Sequence, residues 1–129
     1  MFDILKVNTM EKLTNKEEEI MCILWKLEKG FINDILAEMP EPKPHYNTLS
    51  TMVRILEEKG VVSYQAYGKS HQYYPLVSME TYREMFMEET MNKYFDNSFK
   101  DLVSFFVNDK KVSDKELDEI MKIIEKSRK

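Results

Sequence analysis

Tyr46-Asn47-Thr48-Leu49-Ser50-Thr51-Met52-Val53-Arg54-Ile55-Leu56-Glu57-Glu58-Lys59-Gly60 reads as one helix with two faces. Leu49, Met52, Val53 and Leu56 recur at i, i+3, i+4 and i+7, so they form one apolar stripe. A turn of about 100° per residue gathers Asn47, Ser50, Thr51 and Arg54 on the opposite side. That outer face carries hydroxyls, an amide and a guanidinium, with no carboxylate before Glu57 and Glu58. A solvated helix face usually mixes Glu with Lys. Asn, Ser, Thr and Arg together suit the reading of base edges and the gripping of phosphates.

The segments on either side complete a motif. Thr14-Asn15-Lys16-Glu17 has the form of a capping box and predicts a helix to about Glu28, with Ile20, Ile23, Leu24 and Leu27 inward. Gly30 is expected to supply its left-handed cap. A short second helix is predicted from about Ile32 to Met39, before Pro40, Pro42 and Pro44 forbid helix. The quoted helix then spans about His45 to Lys59. Val61–Ala66 and His71–Leu76, rich in β-branched and aromatic residues, flank a turn at Tyr67-Gly68-Lys69-Ser70 and predict a hairpin. Three short helices and a hairpin make a winged helix-turn-helix.

Beyond Val77 the pattern is helical again. Ser78 can cap a helix to about Phe95, Asn97-Ser98 breaks it, and Ser113-Asp114-Lys115-Glu116 is a second capping box. The apolar residues Phe86, Phe95, Leu102, Phe106, Leu117, Ile120, Met121 and Ile124 exceed what three short helices can cover alone. They are expected to pack on a second copy of the chain. The expected organisation is a leader at 1–12, a winged helix at 13–77 and a helical dimerisation domain at 78–129. The fold class is mainly α with a small β-hairpin.

Composition narrows the function. The chain has 129 residues, is 43% hydrophobic and 33% charged, and has a net charge of −4. The acidic balance argues mildly against nucleic acid, but the distribution of charge matters more. Lys43 and Arg54 are the only charges between Pro42 and Leu56, and Lys59 and Lys69 the only ones from Lys59 to Val77. No secretory leader is visible and no apolar run approaches the roughly 18 residues of a membrane helix, so a cytoplasmic protein is expected. Cys22 is the single cysteine and is read as a small buried side chain. Three glycines, two histidines and one cysteine offer no phosphate-cradling loop, triad or metal cluster, so neither an enzyme nor a metal or cofactor site is expected.

These blocks resemble the penicillinase-repressor family of bacterial transcriptional repressors (the BlaI/MecI/CopY type). The matching pieces are Leu13-Thr14 to Trp25, the Asn47–Thr51 and Arg54–Gly60 blocks, and Tyr67-Gly68-Lys69 with Gln72–Leu76 in the wing. The resemblance covers about Leu13 to Lys126. It implies a homodimeric repressor on a palindromic double-stranded DNA operator, of antibiotic-resistance or stress genes. It also implies DNA contacts from positions matching Asn47, Thr48, Ser50, Thr51 and Arg54. Relatives often carry a longer basic or polar group in place of Ser50. Members with a sensor protease as partner are cut at an Asn-Phe bond. The corresponding candidate pair here is Phe105-Phe106, a departure from that pattern. The copper-responsive branch has a cysteine-rich C-terminal site, whereas no cysteine follows Cys22 here.

Each candidate has a plainer reading. Arg54 could pair with Glu58 at i+4 instead of DNA. Thr48 and Thr51 could be simple polar surface, and Asn47 could cap its helix. Lys69 at the wing tip suits a phosphate, or ordinary turn decoration. His45 could touch a phosphate or be turn surface. His71 could be a metal ligand or pH switch, but reads better as a solvent-facing strand residue. Alternation makes one of Tyr73 and Tyr74 core and the other wing surface. Two rival functions remain: a winged helix used for protein–protein contact, and a regulator sensing a small ligand in the Met-rich helix from Met79 to Met91.

Overall fold

A computed structural model describes residues 13–109 and 112–128. The expected leader lies outside the described residues. The elements run α1 (Asn15–Leu27), α2 (Ile32–Glu38), α3 (Tyr46–Glu58), β1 (Val62–Tyr67), β2 (Ser70–Pro75), α4 (Met79–Tyr94), α5 (Phe99–Asn108) and α6 (Asp114–Ser127). This is the mainly helical, winged helix-turn-helix order read from the sequence. The chain forms two compact units that divide between Met85 and Phe86. The first takes in the start of α4, beyond the 13–77 span, where the Tyr82 ring packs 5.6 Å from that of Trp25 and its hydroxyl donates to Glu18.

The core of the first unit is built from one stripe per helix. Ile20, Met21 and Leu24 of α1, Ile35 of α2, and Leu49, Val53 and Leu56 of α3 are fully buried together with Val61. Trp25 is half-buried against this core, and its indole Nε1 donates to the Val77 carbonyl at 2.8 Å. The capping box at Thr14 forms in full: Thr14 Oγ1 accepts from the Glu17 amide, and Glu17 Oε1 accepts from the Thr14 amide. Glu17 is also buried, and Lys59 at the end of α3 donates to both its oxygens, at 2.8 and 3.0 Å. One carboxylate thereby ties the start of α1 to the end of α3.

Two expectations are corrected and one alternative is closed. Gly30 is not the left-handed cap: Glu28 takes that role with φ 71°, and its amide bonds the Leu24 carbonyl. Gly30 instead forms a two-way bridge to Tyr73, its amide donating at 2.9 Å and its carbonyl accepting at 2.8 Å. A Cβ there would lie 3.3 Å from Asp34 Cβ, a tight fit. Cys22 is exposed, because α1 turns Glu17, Met21 and Leu24 inward and leaves Cys22 on the far side of the wheel. Asn47 lies inside α3 and does not cap it; His45 holds the N-cap position, without a side-chain cap bond.

In the second unit, Ser98 caps α5 and Ser113 caps α6 with its predicted capping box. Asp96 and Asn97 make the preceding break, with φ of 51° and 61°. Phe95 and Phe105 meet edge-on at 5.9 Å, and Phe105 meets Phe106 at 5.4 Å. No described residue of α4, α5 or α6 is buried. Phe99, Met121 and Ile123 are 69, 57 and 67% exposed, far more apolar surface than a lone helical unit of this size normally leaves in water.

The Glu17–Lys59 link makes a stability prediction. Burial pushes the Glu17 pKa up, but the bonds from Lys59 and Thr14 and the Lys59 charge outweigh it, and the carboxyl sits below its usual value. A depressed folded pKa stabilises above the unfolded pKa and loses that contribution as pH falls through the folded one. Glu17→Gln should cost about 1.5–3 kcal/mol in urea unfolding at pH 7. The difference from the parent should vanish at a pH below the depressed Glu17 pKa, where both carry a neutral side chain.

Candidate nucleic-acid interface

The outer face of α3 is presented as its periodicity demands. Asn47, Thr48, Thr51 and Arg54 are exposed and Ser50 is half-buried, while Leu49, Val53 and Leu56 anchor the opposite side. Thr51 Oγ1 donates back to the Asn47 carbonyl at 3.0 Å, which orients its hydroxyl along the helix. His45 is exposed just ahead of the first turn. α3 has no acidic residue in that turn, so its N-terminal amides meet no competing carboxylate there.

The wing stands beside this helix. β1 and β2 pair antiparallel from Val62↔Pro75 to Tyr67↔Ser70, leaving Gly68-Lys69 as a two-residue loop. Gly68 has φ 64° and Lys69 is not in the left-handed region, the pattern of a type II′ turn with glycine first. Tyr73 points into the core at 5% exposure and Tyr74 outward at 37%, which settles the alternation. Residues of the same parity as Tyr73 therefore share its face. His71 and Lys69 both line the groove between α3 and the wing.

That groove has a volume of about 610 Å³ and is walled by Ser50 and Arg54 of α3, Lys69 and His71 of the wing, and Phe31 and Asp34 at the start of α2. Asp34 is already engaged: its Oδ2 accepts from the Phe31 amide at 2.8 Å. His71 is not the solvent-facing residue expected. It is half-buried, with its ring stacked on Tyr64 at 4.0 Å and 9°. Alternation alone leaves open which tyrosine is core, and so hides this placement; Tyr73 facing inward puts His71 on the helix side. Burial and the Glu57 charge push the Tyr73 phenol up while Arg54 draws it down, so the phenol stays neutral at ordinary pH.

The four cations of the middle segment divide into two kinds. Lys43 Nζ donates to the carbonyls of Leu36, Ala37 and Met39 at 2.9, 3.0 and 2.9 Å, closing the C-terminal end of α2. Lys59 is held by Glu17. Arg54 and Lys69 make no hydrogen bond or ion pair among the described residues, and Arg54 is not paired with Glu58. Both line the same groove. Of the sequence-predicted residues, the groove therefore gathers Ser50, Arg54 and Lys69. Asn47, Thr48, Thr51 and His45 lie on α3 and at its start, outside the lining.

The family model for the penicillinase repressor matches residues 13–126, nearly the whole chain. The chain belongs to the penicillinase repressor family. It is 28% identical over 120 residues to the methicillin resistance regulatory protein MecI of Staphylococcus aureus strain N315, covering 92% of this chain and 98% of MecI. It is 24% identical over 115 residues to the penicillinase repressor of Bacillus licheniformis, covering 88% of this chain and 90% of that protein. The fold is similar to the solution structure of the DNA-binding domain of the repressor BlaI, with a TM-score of 0.50 and 23% identity over 64% of this chain and 94% of that one. The family is one of DNA-binding transcriptional repressors, and this repressor is of their winged-helix fold. No helix among its described residues is long and apolar enough to cross a membrane.

The division of cations is testable without any ligand. Lys43→Ala should lose about 1–2 kcal/mol in urea unfolding, because three helix-end carbonyls lose their donor. Lys69→Ala should stay within about 0.5 kcal/mol of the parent, as an unpaired surface charge should.

Proposed function

We propose that the repressor binds a palindromic double-stranded operator as a homodimer, with α3 of each subunit in a major groove and a DNA strand lying between α3 and the wing. The observation that carries this reading is the pairing of free charges. Arg54 and Lys69, the two middle-segment cations without a partner among the described residues, wall one groove. In a protein of net charge −4, that concentrates unspent positive charge on one face. Arg54 and Lys69 hold phosphates and so set position. Asn47, Thr48, Ser50 and Thr51 face base edges and set sequence, an amide such as Asn47 being suited to adenine. His45 sits where a phosphate would meet the start of α3.

Dimerisation accounts for the uncovered helices. Phe86, Phe106, Ile120, Met121 and Ile124 are all exposed, with Phe95, Leu102 and Leu117 half-buried beside them. A second copy covers such a surface and holds the two readers apart by one helical turn of DNA, about 34–36 Å, or a multiple of it. Phe105 and Phe106 lie inside α5 and pack edge to face. A sensor protease would have to unwind that helix to reach their peptide bond, so the two rings are better read as packing groups than as a cleavage site.

Two measurements test the proposal. In fluorescence-anisotropy titrations on the DNA upstream of its own gene, Arg54→Ala and Lys69→Ala should each weaken binding. Each should also flatten the dependence of log K on log salt by about 0.9 for every phosphate the variant no longer neutralises. Lys43→Ala should leave that slope unchanged; equal slopes in all three variants would point to a winged helix that meets protein instead. In sedimentation equilibrium at micromolar concentration, the parent should be dimeric and Ile124→Glu monomeric. A monomeric parent would remove the basis for paired half-sites.

A further inference from the structure

The groove contains one polar side chain that neither the helix face nor the wing tip accounts for. His71 lies on β2 opposite Ala66, two residues along from Lys69, and lines the same groove as Arg54. Its ring is fixed on two sides, stacked on Tyr64 at 4.0 Å and edge-on to Tyr73 at 6.2 Å. Neither ring nitrogen makes a hydrogen bond or ion pair among the described residues. A half-buried imidazole held rigidly with both nitrogens unspent is a donor waiting for an acceptor, and one that costs little side-chain entropy to engage.

We propose that His71 is a third DNA-backbone contact in each subunit, donating to a phosphate seated between α3 and the wing, and that its protonation strengthens DNA binding as pH falls from 8 to 6. The inference rests on the DNA-binding reading of this groove. Other charged and titratable groups share the groove. From α3 come the Arg54 cation and the Tyr46 phenol, with the Glu57 charge acting on the Tyr73 phenol; from α2 comes Asp34, already bonded to the Phe31 amide. From the wing come Lys69 and the phenols of Tyr64, Tyr67 and Tyr73. A phosphate entering beside the imidazole favours its charged form, so binding takes up a proton. Histidine is the side chain whose ordinary pKa falls in this window.

The test uses the full chain and a short random-sequence duplex at low salt, since a phosphate contact needs no operator. The parent should bind more tightly at pH 6 than at pH 8, with a salt slope steeper by about 0.9 for each subunit engaged. His71→Phe, which keeps a ring for Tyr64 to stack on, should lose a large part of that pH response. The loss should be of the same size in a His45→Gln background, which separates the chain's two histidines. NMR titration of the parent should show the His71 ring pKa rising when the duplex is added, a readout that does not depend on any variant folding. A parent with no pH response, a response undiminished by His71→Phe, or a His71 pKa unmoved by DNA overturns the inference while leaving the DNA-binding reading in place. Failure of the parent to bind the duplex at either pH overturns both.

Discussion

The backbone of Tyr73 exchanges two hydrogen bonds with Gly30 while its ring is buried in the core. Together with buried Val62 and the contact of the Tyr67 ring with Phe31 at 5.9 Å, this residue holds the wing against the helical part of the molecule. The approach is close at Gly30, where a Cβ would lie 3.3 Å from Asp34 Cβ. Asp34 in turn accepts the Phe31 amide at the start of α2. With β2 held in this way, His71, its next residue of equal parity, lines the groove beside α3, with Ser70 and the turn residue Lys69 beyond it. A wing tethered only by its hairpin could sample many angles to α3, and Lys69 would have no fixed relation to Arg54.

The electrostatics follow from the same economy of placement. A net negative chain that binds a polyanion must hold its positive charge where it is used. Lys43 and Lys59 look equivalent to Arg54 and Lys69 in the sequence, yet their work is internal. One closes the end of α2, and the other joins α3 to Glu17. Both bracket the recognition helix: Lys43 fixes the segment that leads into it, and Lys59 fixes its exit. The structural cations hold α3 in place, and the free ones face outward from the surface it builds.

Much of this is legible in the sequence because period and punctuation agree. The stripe Leu49, Met52, Val53 and Leu56 and its polar counterface leave one way to set α3 on a core. The capping boxes at Thr14 and Ser113 mark helix starts that the structure reproduces. What escapes is non-local. The partner of Gly30 lies on a strand far along the chain, so a glycine before a helix reads as a cap. Cys22 lies in an apolar run, and composition hides a helical phase that turns it outward. His71 looks like surface until Tyr73 is known to face inward. The commitment of Lys43 and Lys59 depends on contacts with residues that no spacing rule links.

If the surface made by α3 and the wing reads a specific DNA sequence as part of a symmetric pair, the bound DNA must carry that symmetry. Selection of genomic fragments bound by the purified repressor, followed by hydroxyl-radical footprinting of the enriched fragments, reads it out. A shared inverted repeat is expected, with two protected patches on one face of the duplex separated by one helical turn or a multiple, about 34–36 Å per turn. Recovery of fragments with no common sequence, or a single unpaired patch, would contradict it.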